Sequence, residues 1–144
     1  MRAWTAGMAM AMVVVSGCSC NVPLIHIEKF RRLSLREQIA VFDEAKRKRC
    51  VLEPDTQILY IADHGEEAAD AMTSSLKGSG PAFPPRDAVR VLEFVHFGGV
   101  DLRQREALRV LEELARSSPD PLLRKQARLA VARISRNDPL AEVE

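Results

Sequence analysis

Residues 87–95 read DAVRVLEFV and residues 106–114 read EALRVLEEL, the same acid-Ala-aliphatic-Arg-Val-Leu-Glu-x-aliphatic text at an offset of 19. Two fainter copies flank the pair: EAADAM from Glu67, 20 residues earlier, and QARLAV from Gln126, 20 later. Each copy spaces its apolar residues at i, i+3 and i+4, the signature of an amphipathic helix. One such helix cannot bury its apolar face alone, so the copies must stack on one another. That requirement predicts an all-α fold with a helix and turn every 19–20 residues, and no strand is needed.

Local signals place the helices. Ser34-Leu35-Arg36-Glu37 reads as a capping box, followed by an apolar stripe of Leu35, Ile39 and Phe42. The run Lys46-Arg47-Lys48-Arg49 suits a C-terminal helix dipole. Pro54-Asp55 opens a second helix with Ile58, Leu59, Ile61 and Ala62 on its apolar side, stopped by Gly65 in a left-handed turn. A third starts at Glu66-Glu67 and ends at Gly78, before the loop GSGPAFPP of residues 78–85. Pro85 opens the fourth, with Val89, Leu92 and Val95 on one face and Gly98-Gly99 at its end. Asp101 is expected to cap the fifth, with Gln104 in the capping-box position, and Asp120-Pro121 starts the sixth. Asn137-Asp138-Pro139 ends the order.

A helix pair of roughly 40 residues is the armadillo/HEAT period. His64-Gly65-Glu66-Glu67-Ala68 resembles the turn between paired helices of HEAT-like repeats, and residues 120–127 (DPLLRKQA) resemble their Asp-Pro-x-aliphatic-Arg-x-x-Ala helix start. The resemblance covers residues 55–135. It implies a short α-α superhelix of helical hairpins; a compact helical bundle is the alternative for so few pairs.

The N-terminus differs in kind. Residues 1–17 hold one charge, Arg2, and the apolar run AGMAMAMVVVSG, which together read as a secretory signal peptide. About 12 apolar residues cover only about 18 Å as a helix, too short for a bilayer core of ~30 Å. Val15-Ser16-Gly17-Cys18 resembles the lipobox of bacterial lipoproteins, with Val where that family most often has Leu. The resemblance implies cleavage before Cys18, acylation of that residue as a membrane anchor, and, from Ser19 rather than Asp beside it, sorting to the outer membrane where one exists. The expected organisation is therefore signal peptide 1–17, anchor and tether 18–33, helical repeat domain 34–136 and C-terminal tail 137–144.

Charge and cysteine content narrow the partners. The whole chain carries 21 basic and 20 acidic residues, and loss of Arg2 makes the mature part neutral. No excess positive charge exists to attract nucleic acid, and aromatic residues at 5% offer little for base or sugar stacking. With Cys18 acylated, Cys20 and Cys50 remain for a disulfide in an oxidising compartment. The alternative is two thiols with Cys50 buried as a small apolar residue. The bridge would close a loop of roughly 30 residues, worth about 3.5 kcal/mol by chain entropy.

Candidate chemistry is sparse. Asp63-His64-Gly65-Glu66-Glu67 is the densest cluster of metal-ligating and acid/base groups, but it straddles a helix break where such residues are favourable for dipole reasons. No zinc-site spacing, Gly-x-Ser-x-Gly elbow or phosphate loop occurs. Lys46, Arg47, Lys48 and Arg49, joined by Arg31 and Arg32, are candidates for contact with anionic headgroups. No catalytic residue, metal or cofactor is assigned. The expected function is a lipid-anchored, non-enzymatic adaptor that binds a protein. The alternatives are an immunity or inhibitor lipoprotein, and a small metal-binding or hydrolytic enzyme using residues 63–67.

Overall fold

The structure is a computed structural model that describes residues 26–50 and 53–143. The expectations for residues 1–17, Cys18, Ser19 and Cys20 lie outside the described residues. Among the described residues seven helices follow in order: α1 (Ile27–Arg31), α2 (Leu35–Arg47), α3 (Pro54–Ala62), α4 (Glu66–Leu76), α5 (Pro85–Phe97), α6 (Glu106–Ser117) and α7 (Pro121–Arg136). The described residues contain no strand, so the all-α class holds.

The four copies of the repeated text are α4, α5, α6 and α7. Consecutive helices pair as hairpins, α2 with α3, α4 with α5 and α6 with α7. Across the hairpins, α1 touches α3, α3 touches α5, and α5 touches α7, while α4 touches α6. The odd-numbered helices therefore form one layer, and α4 and α6 lie in a second. Two side-chain contacts fix the register of α5 on α7. Gln126 Nε2 donates to the Arg86 carbonyl at 2.8 Å, and Arg133 Nη1 pairs with Glu93 at 3.0 Å; both span 40 residues. Equal separations at two points along the helices mean that α5 and α7 run parallel, one helix pair apart.

One core runs through both layers. Phe30, Phe42, Ile58, Ile61, Met72, Leu92, Leu111 and Ile134 are fully buried. At roughly 1.5–3 kcal/mol for each large apolar side chain removed from water, these positions dominate the favourable side of folding. Phe42 of α2 stacks on Phe83 of the 78–85 loop, with ring centroids 5.0 Å apart, which pins that Pro-rich loop to the body. Identical text meets different surroundings. Val91 of α5 is buried, whereas its counterpart Val110 in α6 is half-buried, because α5 packs on α3, α4 and α7 and α6 chiefly on α4 and α7.

The caps follow the sequence signals at three helices. Ser34 and Glu37 complete the capping box of α2, Pro85 stands in the first turn of α5, and Asp120 accepts the Leu122 N–H to open α7. Several boundaries differ. The helix expected from Asp101 begins at Glu106 instead, with no side-chain cap. Asp101 is taken up by a two-pronged contact with Arg103 (2.7–3.1 Å), and Leu102 plunges fully into the core. Gly65 has φ +60 and ψ −122, outside the left-handed helical region, and serves as the N-cap of α4. Residues 26–33, expected as tether, belong to the folded body: α1 packs on α3, and Phe30 has no exposed surface. The tail from 137 also folds back, burying Ala141, whose carbonyl accepts from Arg133.

Candidate interaction surface

The sequence's densest polar cluster does not converge. His64 Nε2 lies 3.2 Å from Gln38 Oε1, and Gln38 Nε2 donates to the Phe30 carbonyl at 3.0 Å. Gln38 is buried, so His64 completes a chain of hydrogen bonds that ties the end of α1 and the start of α2 to the α3–α4 turn. Because the Gln38 oxygen can only accept, His64 Nε2 carries the hydrogen. Glu66 reaches across to Arg105, leaving Asp63 and Glu67 exposed. No group of three or more His, Cys, Asp or Glu residues is arranged to hold a metal among the described residues.

The basic run at the end of α2 is largely engaged. Lys46 pairs with Asp87 at 3.1 Å, Arg47 with Asp43 at 3.1 Å, and Lys48 with Glu44 at 2.9 Å. The Lys48 ammonium, by hydrogen bond and charge, holds the Glu44 carboxyl below its ordinary value. Arg49 follows the helix with φ +56 and makes no side-chain ion pair among the described residues. Cys50 is disulfide-bonded, so the thiol chemistry of a reactive cysteine is closed to it. Its expected pairing with Cys20 lies outside the described residues.

His96 is structural. It is buried at the end of α5, where Nδ1 accepts the Leu102 N–H at 3.2 Å and Nε2 faces Asn137 Oδ1 at 3.0 Å. An acceptor Nδ1 requires the hydrogen on Nε2, which then donates to Asn137. Asp101 lies 4.0 Å from Nδ1, but its carboxyl is held well below the ordinary value chiefly by the Arg103 guanidinium.

One part of the exposed surface is apolar. Of five phenylalanines in the chain, Phe30, Phe42 and Phe83 are buried, while Phe94 and Phe97 are each 37% exposed one helical turn apart on α5. Leu59 of α3, 43% exposed, joins them around a recess of about 340 Å³ that Ala62, Gly65, Gly98 and Val100 complete. Among the described residues Asp63 is the sole charged residue in that lining. The sequence placed Leu59 on the core side of its helix; the structure turns it outward because Ile58 and Ile61 take the buried positions. Phe94 and Phe97 had a legible signal, since both fall off the Val89–Leu92–Val95 stripe that packs inward.

Two broader grooves are mixed in charge. One, of about 1060 Å³, lies where the end of α2 meets the 78–85 loop and the start of α5; the other, of about 1120 Å³, lies between α6, α7 and the tail. In the first, the Lys46–Asp87 and Arg47–Asp43 pairs neutralise the lining. No helix is long and apolar enough to cross a membrane among the described residues. Compared with protein-family models, curated proteins and solved structures, the chain matches none.

Proposed function

We propose that this chain is an exported lipoprotein of the cell envelope, anchored through Cys18, whose HEAT-like hairpins act as a non-enzymatic adaptor for a protein partner. The observation that carries the adaptor reading is the Leu59–Phe94–Phe97 surface, which leaves two of five phenylalanines more than a third exposed. Contiguous exposed apolar side chains mark interaction sites more often than they tile an inert surface. The recess beside them has room for one or two side chains of a partner. Asp63 on its edge favours a partner segment that places a Lys or Arg next to an apolar anchor. The engaged state of His64 and Glu66 gives no support to the enzyme reading.

The test is crosslinking from intact membranes with a photoreactive residue at position 94. A discrete adduct that disappears in the Phe97→Ser, Leu59→Ser variant supports the reading, provided that variant unfolds at the same urea concentration. An adduct unchanged in that variant overturns the assignment of the surface. Fatty-acid labelling that persists in Cys18→Ala overturns the anchor.

A further inference from the structure

The near balance of charge in the chain, 21 basic against 20 acidic residues, conceals a polarity along the stack. Residues 26–50, which form α1 and α2, hold eight basic side chains and four acidic ones. Residues 53–143 hold twelve basic and fifteen acidic. The positive end is the one at which the chain enters the fold. We propose that the α1–α2 end is a contact face for an anionic lipid surface, orienting the anchored domain with α1 and α2 against the bilayer. The inference rests on the lipid-anchor reading above.

The cations at this end are available. Lys29, Arg32, Arg36 and Arg49 are exposed and make no ion pair among the described residues. Arg47 and Lys48 meet only acids one turn away on their own helix, with side chains 70% and 42% exposed. Exposed pairs of that kind are weak and yield to a denser field of negative charge. Lys46 is excluded, because Asp87, a nearly buried carboxylate of α5, holds it.

A second basic helix shows the contrast. α7 carries five cations and no acid. Four are tied down: Arg124 to the Ser118 carbonyl, Arg128 to the Ala115 carbonyl, Arg133 to Glu93, and Arg136 to the Glu142 carbonyl. The arginines of α7 are committed to closing α6 and holding the tail; at the α1–α2 end Arg31 lies over the Tyr60 ring, while Arg32, Arg36 and Arg49 face water.

Chain length supplies the geometry. With α1 inside the fold, only seven residues lie between Cys18 and His26, and the eight steps reach at most about 29 Å fully extended. That length limits how far the α1 end can stand off and lets it approach the headgroups to within one Debye length, about 8 Å at physiological salt, where the charges act.

The experiment is lysine footprinting of the mature acylated protein, reconstituted in phosphatidylcholine vesicles or in vesicles with phosphatidylglycerol at about two to one, so that the field of anionic headgroups is the variable. Acetylation of Lys29 and Lys48 is expected to slow several-fold on the anionic vesicles, with Lys77 of the α4 end and Lys125 of α7 unchanged, and molar salt is expected to abolish the difference. Equal rates for Lys29 and Lys48 on both vesicles, or protection of Lys125 in their place, overturn the proposal. The intact mass reports acylation of Cys18 separately. An unacylated chain whose Lys29 and Lys48 are still slowed by anionic vesicles upholds the face while refuting the anchor. A variant with Arg32→Gln, Arg36→Gln and Arg49→Gln is expected to lose most of the protection while keeping its helical circular dichroism; full protection in that variant also overturns the proposal.

Discussion

His96 Nε2 meets Asn137 Oδ1 at 3.0 Å across 41 residues, joining the end of α5 to the end of α7. The same ring takes the Leu102 N–H on its other nitrogen. One buried imidazole therefore holds three segments: the last turn of α5, the loop that drops Leu102 into the core, and the left-handed residue that ends α7.

Replacing His96 with Ala strands the Leu102 N–H in a buried site, which costs about 1–3 kcal/mol beyond the lost packing. Urea unfolding is expected to show this shift, whereas Arg103→Ala, in the same loop but exposed, is expected to move the midpoint little. Asn137→Ala is expected to destabilise more than Asn137→Gly. Both remove the contact, but only alanine must strain into φ +51.

Phe30 decides whether α1 is body or tether. If it is core, as its burial states, Phe30→Ala costs about 3–5 kcal/mol. Glu28→Ala on the same helix, exposed, serves as the comparison. Equal unfolding midpoints for the two variants would return residues 26–33 to the tether.

The capping box of α2 predicts a pH dependence. The hydrogen bonds from the Ser34 hydroxyl and then the Ser34 N–H hold the Glu37 carboxyl below its ordinary value of 4.5. A folded-state value below the unfolded one means that this contribution is fully present above about pH 4.5 and fades as pH falls through the folded value. Ser34→Ala is expected to cost about 1 kcal/mol at pH 7. The cost should shrink toward pH 3, measured by urea titration at both pH values; a constant difference would show that Glu37 is not part of the linkage.

Gly80 predicts a steric effect. A Cβ there would lie 2.6 Å from Ser74 Cβ and 2.7 Å from the Ser75 backbone nitrogen. The end of α4 cannot yield as a flexible side chain would, so Gly80→Ala is expected to lower the melting temperature by several degrees. Gly78→Ala has open space but φ +77, and is expected to cost about 1 kcal/mol from backbone strain alone. A melting temperature unchanged in Gly80→Ala would mean the loop repacks freely.

Much of the fold was legible because its signals are local. The Ser34–Glu37 box, Pro85 in a first turn and Asp120-Pro121 each act within four residues, and each helix starts where they stand. Asp101 misled for the same reason. It has the right residue type for a cap, but Arg103 and the burial of Leu102 are a stronger local solution. The candidate surface was legible only in part. Phe94 and Phe97 lie off the core stripe in the sequence, yet nothing local says that Leu59, 35 residues before Phe94, stands beside them.

The sequence by itself determined that the chain forms helices, where most of them begin, and that they recur every 19–20 residues, because helix periodicity and capping depend on neighbours along the chain. The tertiary structure decided what each copy does. Val91 is buried and Val110 is not, Arg133 meets an acid 40 residues away, and His64 is claimed by Gln38 rather than by a metal. Burial and pairing depend on how many elements surround a side chain. That number comes from a helix's place in the stack, which the repeated text, being nearly the same in α5 and α6, cannot encode.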